Sequence, residues 1–118
     1  MERKALATEL EHRWGTRIPF NQEVLIDNKT FGVMRDMSIS GCFIDSKVIF
    51  GLGQQISLRF NLSIPEPAPL TISGRIVNIR PGAGFGIKFN YESQEQPEIV
   101  RKFIAHVLNS NSSGLLNK

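Results

Sequence analysis

The clearest structural signal in the sequence is the segment from Gln55 to Leu62, which reads QISLRFNL. Apolar and polar residues alternate strictly along it, and this period of two is typical of a β-strand with one buried face. A helix would spread the four apolar side chains around its circumference instead of placing them on one side. The segment therefore predicts a strand that covers a hydrophobic core.

Extended segments flank this strand on both sides. Each is rich in β-branched or aromatic residues and is bounded by turn residues such as Asp27-Asn28 and Pro81-Gly82. The additional predicted strands are Val24–Ile26, Thr30–Met37, Gly41–Asp45, Leu70–Ile79 and Phe85–Phe89. About six short strands with turns between them predict a mainly β protein, built as a small barrel or a sandwich.

The pattern changes from extended to helical after Tyr91. Ser93 and Gln96 have the spacing of a helix capping box, and apolar residues then recur at helical intervals as far as Leu108. We expect an amphipathic helix over residues 93–109 that docks on the strands. The following run of Asn and Ser predicts a disordered tail over residues 110–118.

The composition indicates one ordinary domain. A chain of 118 residues with 41% hydrophobic content can bury a core without metals or disulfides. The single cysteine, Cys42, cannot form an internal disulfide, and the N-terminal residues lack the apolar stretch of a signal peptide. No apolar run is long enough for a transmembrane helix. We therefore expect a cytoplasmic protein without membrane insertion.

The charge balance argues against a nucleic-acid partner. The formal net charge of +3 is low, and the basic residues do not cluster. Eight of the 14 cations are arginines, whose planar forks match phosphates and guanine edges. This preference suggests a small anionic ligand. A single-strand nucleic-acid-binding barrel is the weakest alternative, because it would need aromatic residues on its strand faces and a basic groove.

The sequence shows no catalytic machinery. His12, His106 and Cys42 have no metal-ligand spacing. The glycines of residues 82–86 resemble a phosphate loop, but they lack its Gly-Lys-Ser/Thr ending and lead into a strand instead of a helix. We expect no enzyme activity, no metal and no cofactor.

Two short motifs together suggest a nucleotide site. Arg13 and Arg17 form an Arg-x-x-x-Arg pair, and Asp36, Ser38 and Gly41 form an Asp-x-Ser-x-x-Gly stretch about twenty residues later. Arginine forks bind phosphate oxygens and guanine O6/N7, whereas a carboxylate accepts from the N–H groups on the other guanine edge. A serine hydroxyl adds a donor or acceptor, and a glycine permits close approach. The set complements a guanine nucleotide.

These two motifs, followed by Gly84–Phe89 and a C-terminal helix, resemble the PilZ domain, a bacterial receptor for cyclic di-GMP. The resemblance extends over about residues 11–108. It implies a six-stranded antiparallel β-barrel over residues 21–92, preceded by an arm of residues 1–20. It also implies a non-catalytic module whose arm closes over the ligand and signals to a protein partner in motility, pilus, polysaccharide or regulatory machinery.

The resemblance also assigns roles to individual residues. Arg13 and Arg17 would clamp phosphates and guanine edges, Asp36 and Ser38 would hydrogen-bond a guanine, and Gly41 would allow close approach. Arg35 and Arg80 are additional ligand-binding candidates.

Two residues of the arm stand apart from this assignment. His12 occupies a position that is basic in many members of the family, so the resemblance leaves open whether one or two nucleotides bind. Trp14 is expected to anchor the arm against the barrel, with base stacking as the alternative. A PilZ-like adaptor that binds no nucleotide is the second functional hypothesis.

Overall fold

A computed structural model describes residues 17–48, 50–63 and 67–116. These residues form six antiparallel strands and a C-terminal helix: β1 (Ile18–Ile26), β2 (Thr30–Met37), β3 (Gly41–Asp45), β4 (Gln55–Leu62), β5 (Ala68–Arg80), β6 (Gly84–Asn90) and α1 (Glu95–Leu116). The strands close into a barrel in the order β1-β2-β3-β6-β5-β4. The expected mainly β fold, a six-stranded antiparallel barrel with a C-terminal helix, is confirmed.

Strand β4 shows how the apolar pattern builds the core. Ile56, Leu58, Phe60 and Leu62 point into the barrel and are buried, while Arg59 between them is exposed. Fully burying one aliphatic or aromatic side chain contributes about 1.5–3 kcal/mol. The other strands and the helix add further buried residues, among them Val24, Ile26, Met34, Ile44, Ile72, Ile76, Ile87, Val100 and Ile104.

The turn between β1 and β2 helps to close the barrel. Asp27 and Asn28 have φ angles of 51° and 56°, which these two residue types tolerate better than most. The Asp27 carboxylate then accepts the Ser57 N–H at 2.8 Å, and the Asp27 N–H donates to the Ser57 carbonyl at 2.9 Å. These bonds tie the end of β1 to β4, where Ile26 pairs with Leu58.

Strand β1 begins at Ile18, so residues 18–20, which we expected in the arm, belong to the barrel. Pro19 excludes a helix but is compatible with the start of a strand, where a missing N–H costs little. The β1–β2 register shifts between Pro19 and Gln22, and this irregularity accommodates the proline.

Helix α1 covers the barrel through an aromatic cluster. The Phe103 ring packs edge-to-face on Phe20 at 5.0 Å, and Phe20 packs on Phe60 at 6.3 Å. At the start of the helix, the Gln96 side chain accepts the Glu92 N–H at 2.9 Å and donates to the Thr71 carbonyl at 2.7 Å. Gln96 therefore attaches the helix to β5 instead of forming the capping box expected with Ser93.

The helix continues to Leu116, beyond the end predicted at residue 109, so residues 110–116 are helical where we expected a disordered tail. Once a helix is nucleated, each added residue gains a backbone hydrogen bond. Ser and Asn lower helix stability by no more than about 0.7 kcal/mol per residue relative to Ala. Over the described part of the chain, no helix is long and apolar enough to cross a membrane.

Candidate functional site

A β-bulge in β2 turns two polar side chains outward together. Met34 pairs with Ile44 and Asp36 pairs with Phe43, so Arg35 is the extra residue between two pairs. Arg35 is exposed and Asp36 half-buried, so the alternation of inside and outside is interrupted here. A bulge of this kind redirects side chains, and it explains how adjacent residues both reach the outer surface.

Asp36 joins three strands at this surface. Its Oδ1 atom accepts the Phe43 N–H of β3 at 3.1 Å and lies 2.7 Å from the Arg17 guanidinium, just before β1. About a third of the Asp36 side chain is exposed. Among the described residues, no group hydrogen-bonds to Oδ2, so this oxygen can accept from a ligand.

Arg17 is brought to Asp36 by the register of β1 and β2, in which Pro19 pairs with Asp36 and Ile18 with Met37. The ion pair therefore joins the two sequence motifs across 19 residues. A guanidinium carries five N–H donors, and half of the Arg17 side chain is exposed, so it retains donors for a phosphate. Arg13, together with His12 and Trp14, lies outside the described residues.

Ser38 and Gly41 shape the turn between β2 and β3. Ser38 is buried, and its Oγ atom lies 3.1 Å from Ser40 Oγ and accepts the Ser40 N–H at 3.3 Å. A Cβ atom on Gly41 would come within 1.9 Å of the Ile87 carbonyl oxygen. Glycine is therefore required at position 41 because the backbone of strand β6 passes close to it. The Ser38 hydroxyl forms its hydrogen bonds within its own turn.

This turn is also held from outside. The Tyr91 hydroxyl donates to the Ile39 carbonyl at 2.5 Å, and the Phe89 N–H donates to the Ser40 carbonyl at 2.8 Å. Burial raises the pKa of Tyr91 well above its usual value, so its hydroxyl keeps the proton that it donates. The backbone next to Asp36 is thus fixed before any ligand binds.

Phe43 is the residue of this surface that our sequence analysis missed. Its neighbours Cys42 and Ile44 point into the core, so the Phe43 ring faces outward, and the Arg80 guanidinium lies 5.0 Å from the ring centroid. Such cation–π contacts hold the two side chains together at about 0.5–1 kcal/mol when exposed. The available signal was an aromatic residue at an outward position of a predicted strand.

Arg35 is bound by other protein groups. Its guanidinium donates to Asp45 at 2.9 Å and to Asn21 at 3.2 Å, so its ion-pair partner is Asp45, and Asp36 is paired with Arg17. Both ion pairs are substantially exposed, and pairs of this kind contribute at most about 1 kcal/mol to stability.

We refer to the outer surface formed by Arg17, Arg35, Asp36, Phe43 and Arg80 as the arginine face. It offers guanidinium donors for phosphates, a carboxylate for the N–H edge of a guanine, and a ring and a guanidinium on which a base can stack. Within the described ranges, no cluster of His, Cys, Asp and Glu side chains could hold a metal ion.

Comparison with known proteins identifies a family for this chain and solved structures of similar fold. The family model of the PilZ domain matches residues 10–106. The structure of the Bacillus subtilis inhibitor of motility (MotI/DgrA) aligns with a TM-score of 0.67 at 10% identity, over 80% of this chain and 50% of that one. This chain thus spans half the length of that protein.

The second similar structure is the PilZ domain of CeSA from a cellulose-synthesizing bacterium. It aligns with a TM-score of 0.58 at 20% identity, over 78% of this chain and 97% of that one. No curated protein matches the sequence. At these identities the two structures show only that the fold is shared. Membership of the family is shown by the family model.

Proposed function

The chain belongs to the PilZ domain family, and on this premise we propose that it is a non-catalytic receptor for cyclic di-GMP. PilZ domains are a cyclic di-GMP receptor family and are generally non-catalytic binding modules. The observation that carries the proposal is the meeting of Arg17 and Asp36, one from each motif, at 2.7 Å on the arginine face.

Ligand binding at this pair would use groups that are already in place. Asp36 Oδ2 accepts from the N1–H and N2–H₂ groups of a guanine, while the remaining Arg17 donors bind a phosphate oxygen. The ion pair between Arg17 and Asp36 is exposed, so sharing it costs at most about 1 kcal/mol. Charge-assisted hydrogen bonds to a phosphate are stronger than this and offset the cost.

The two additional candidates have different roles in this proposal. Arg80 and Phe43 offer a flat surface for the second base, because the guanidinium already lies over the ring. Arg35 is engaged by Asp45 and Asn21, so this proposal gives it no direct contact with the ligand.

The N-terminal arm supplies the output of the receptor. Arg13 adds a second guanidinium to that of Arg17. Binding of the ligand by both arginines changes the conformation of the arm, which then closes over the ligand and alters the surface offered to a protein partner. Motility, pilus, polysaccharide and regulatory machinery are the candidate partners. The fold similarity to an inhibitor of motility makes motility proteins the first class to test.

Titration calorimetry with cyclic di-GMP tests the proposal. We expect binding at micromolar ligand and a loss of about 2 kcal/mol for Arg17→Ala, because a charged hydrogen-bond donor is removed. Arg75→Ala is the matched control, since Arg75 is exposed on β5 at a position that pairs with Gln55 and Lys88. No binding, or equal affinity of Arg17→Ala and the parent, would refute it.

A second function, a protein-interaction adaptor that binds no nucleotide, is favoured by a separate observation. The Ser38 hydroxyl bonds within its own turn, and the close approach of β6 requires glycine at position 41, so both residues have a role in the barrel without a ligand. For this function we expect a stable complex with a protein partner that is insensitive to Asp36→Ala and to added cyclic di-GMP.

A further inference from the structure

A groove of about 540 Å³ lies beside the arginine face, between the β3–β4 loop and the β5–β6 turn. Phe50 and Phe85 form its base and pack edge-to-face at 5.1 Å. Val48 and Ile79 line it with 41% and 42% of their surfaces exposed, which is a large exposure for apolar side chains. The groove therefore has the character of a docking site.

The charges around the groove select an acidic occupant. The described residues that line it include two cations, Lys47 and Arg80, and no carboxylate. An apolar segment flanked by acidic residues would bury its side chains on the base of the groove and place its carboxylates near these cations.

The chain contains such a segment in its N-terminal residues. Leu6, Leu10 and Trp14 are spaced by four, which places them in one row if the segment is helical, and Glu9 and Glu11 flank Leu10. In a helix, this row would form an apolar face that needs to be covered by another surface.

The position of Arg17 brings this segment close to the groove. Arg17 is bonded to Asp36, Asp36 is bonded to Phe43 of the next strand, and Arg80 lies over Phe43 and lines the groove. Neighbouring strands are about 4.8 Å apart, so the near side of the groove is roughly two strand spacings away. Trp14 and Arg17 are three residue steps apart in the chain, and three steps span up to about 10 Å when extended.

We propose that residues 6–14 dock in this groove, with Trp14 as the apolar anchor. Docking covers Val48 and Ile79 and holds the arm, including Arg13, beside the arginine face. The proposal concerns the protein free of nucleotide, so it stands or fails independently of cyclic di-GMP binding.

Trp14 is the single tryptophan of the chain, so its fluorescence reports on docking directly. In the nucleotide-free protein we expect a blue-shifted emission maximum and protection from acrylamide quenching. Val48→Glu and Ile79→Glu should shift the emission to the red and raise the quenching constant toward that of a free tryptophan. Val77→Glu is the matched control, because Val77 is on β5 and 48% exposed but does not line the groove.

Three results would overturn the proposal. The first is a parent emission maximum equal to that of tryptophan in water. The second is an unchanged maximum in both groove variants when circular dichroism shows that they are folded. The third is a blue shift that disappears on dilution, since this would assign the groove to the segment of a second copy. If the glutamate variants do not fold, Lys47→Glu replaces them, with a red shift as the supporting result and an unchanged maximum as the contrary one.

Discussion

Asp36 combines a structural bond and a proposed ligand contact in one side chain. Its Oδ1 atom bonds the Phe43 N–H, which fixes the bulged strand to β3, whereas Arg17 contacts Asp36 from an exposed position at the start of the barrel. Removing the carboxylate therefore acts on both the fold and the site, but removing the guanidinium acts mainly on the site.

We predict that Asp36→Ala loses stability as well as affinity. The unfolding free energy should fall by about 1–2 kcal/mol, because the Phe43 N–H loses a charged acceptor. Arg17→Ala should change the unfolding free energy by less than about 1 kcal/mol, because its ion pair is exposed. Urea denaturation measures both, and equal stability of the two variants would contradict this division.

Gly41 provides a second test at the level of one residue. We predict that Gly41→Ala lowers the unfolding free energy by about 2 kcal/mol or more, because its Cβ would lie 1.9 Å from a β6 carbonyl oxygen and the strands must separate. Gly51→Ala is the control, since the nearest atom to its Cβ is at 3.8 Å. A Gly41→Ala protein as stable as Gly51→Ala would show that β6 does not require the glycine.

The site residues could be predicted only in part. Arg17, Asp36 and Arg80 were named from the motifs and the family resemblance, and the structure brings them to one surface. Phe43 was missed because its contact with Arg80 depends on the order of β3, β6 and β5 in the barrel, which the sequence does not show. A sequence also does not show that the backbone facing Gly41 belongs to β6.

At the scale of the elements, a few aromatic contacts hold helix α1 on the barrel. Phe103 is buried and packs on Phe20, which in turn packs on Phe60 of the barrel. We predict that Phe103→Ala lowers the unfolding free energy by about 3–5 kcal/mol, the usual cost of truncating a core phenylalanine. Lys102→Ala, next to it but exposed, should be close to neutral. Denaturant titration of both variants checks this, and similar stabilities would place the helix outside the core.

The strands were predictable because burial on one side leaves a local period of two. β2, β3 and β4 have the predicted bounds. The start of β1 and the end of α1 were not predictable in the same way. Ile18 joins the sheet through pairing with Met37, and residues 110–116 extend a helix nucleated elsewhere, so neither boundary leaves a local pattern.

For the molecule as a whole, the pattern of apolar residues could not predict the order of the strands in the barrel. The pairings of β3 with β6 and of β1 with β4 join segments distant in the chain, and the alternation of residues is the same in a sandwich and in a barrel. The family resemblance supplied the choice of a barrel, because a shared ancestor preserves the topology.

The burial of a thiol in the core also predicts that the free energy of unfolding depends on pH. Cys42 is fully buried, and burial raises the pKa of its thiol far above the ordinary value, with the Asp36 carboxylate as a smaller cause in the same direction. The unfolded thiol ionises near pH 8.5, so the stabilisation is complete below about that pH and is lost as pH rises. We predict that the unfolding free energy declines between about pH 8.5 and pH 10, by up to about 1.4 kcal/mol per pH unit.

Cys42→Ala is the control for this effect. The variant should be less stable at neutral pH, because it leaves a cavity, but its unfolding free energy should vary less with pH over the same interval. Urea denaturation at several pH values gives both slopes. Identical slopes for the parent and Cys42→Ala would assign the alkaline decline to other groups.

We propose above that cyclic di-GMP binds the arginine face at Arg17 and Asp36. A nitrogen–proton correlation spectrum recorded during a titration with cyclic di-GMP tests binding and location together. We predict saturable shifts at micromolar ligand that are largest at the Phe43 amide and the Arg17 side chain, with the amides of Lys102 and His106 on α1 unmoved. A spectrum that does not change, or one whose largest shifts lie on α1, would contradict it.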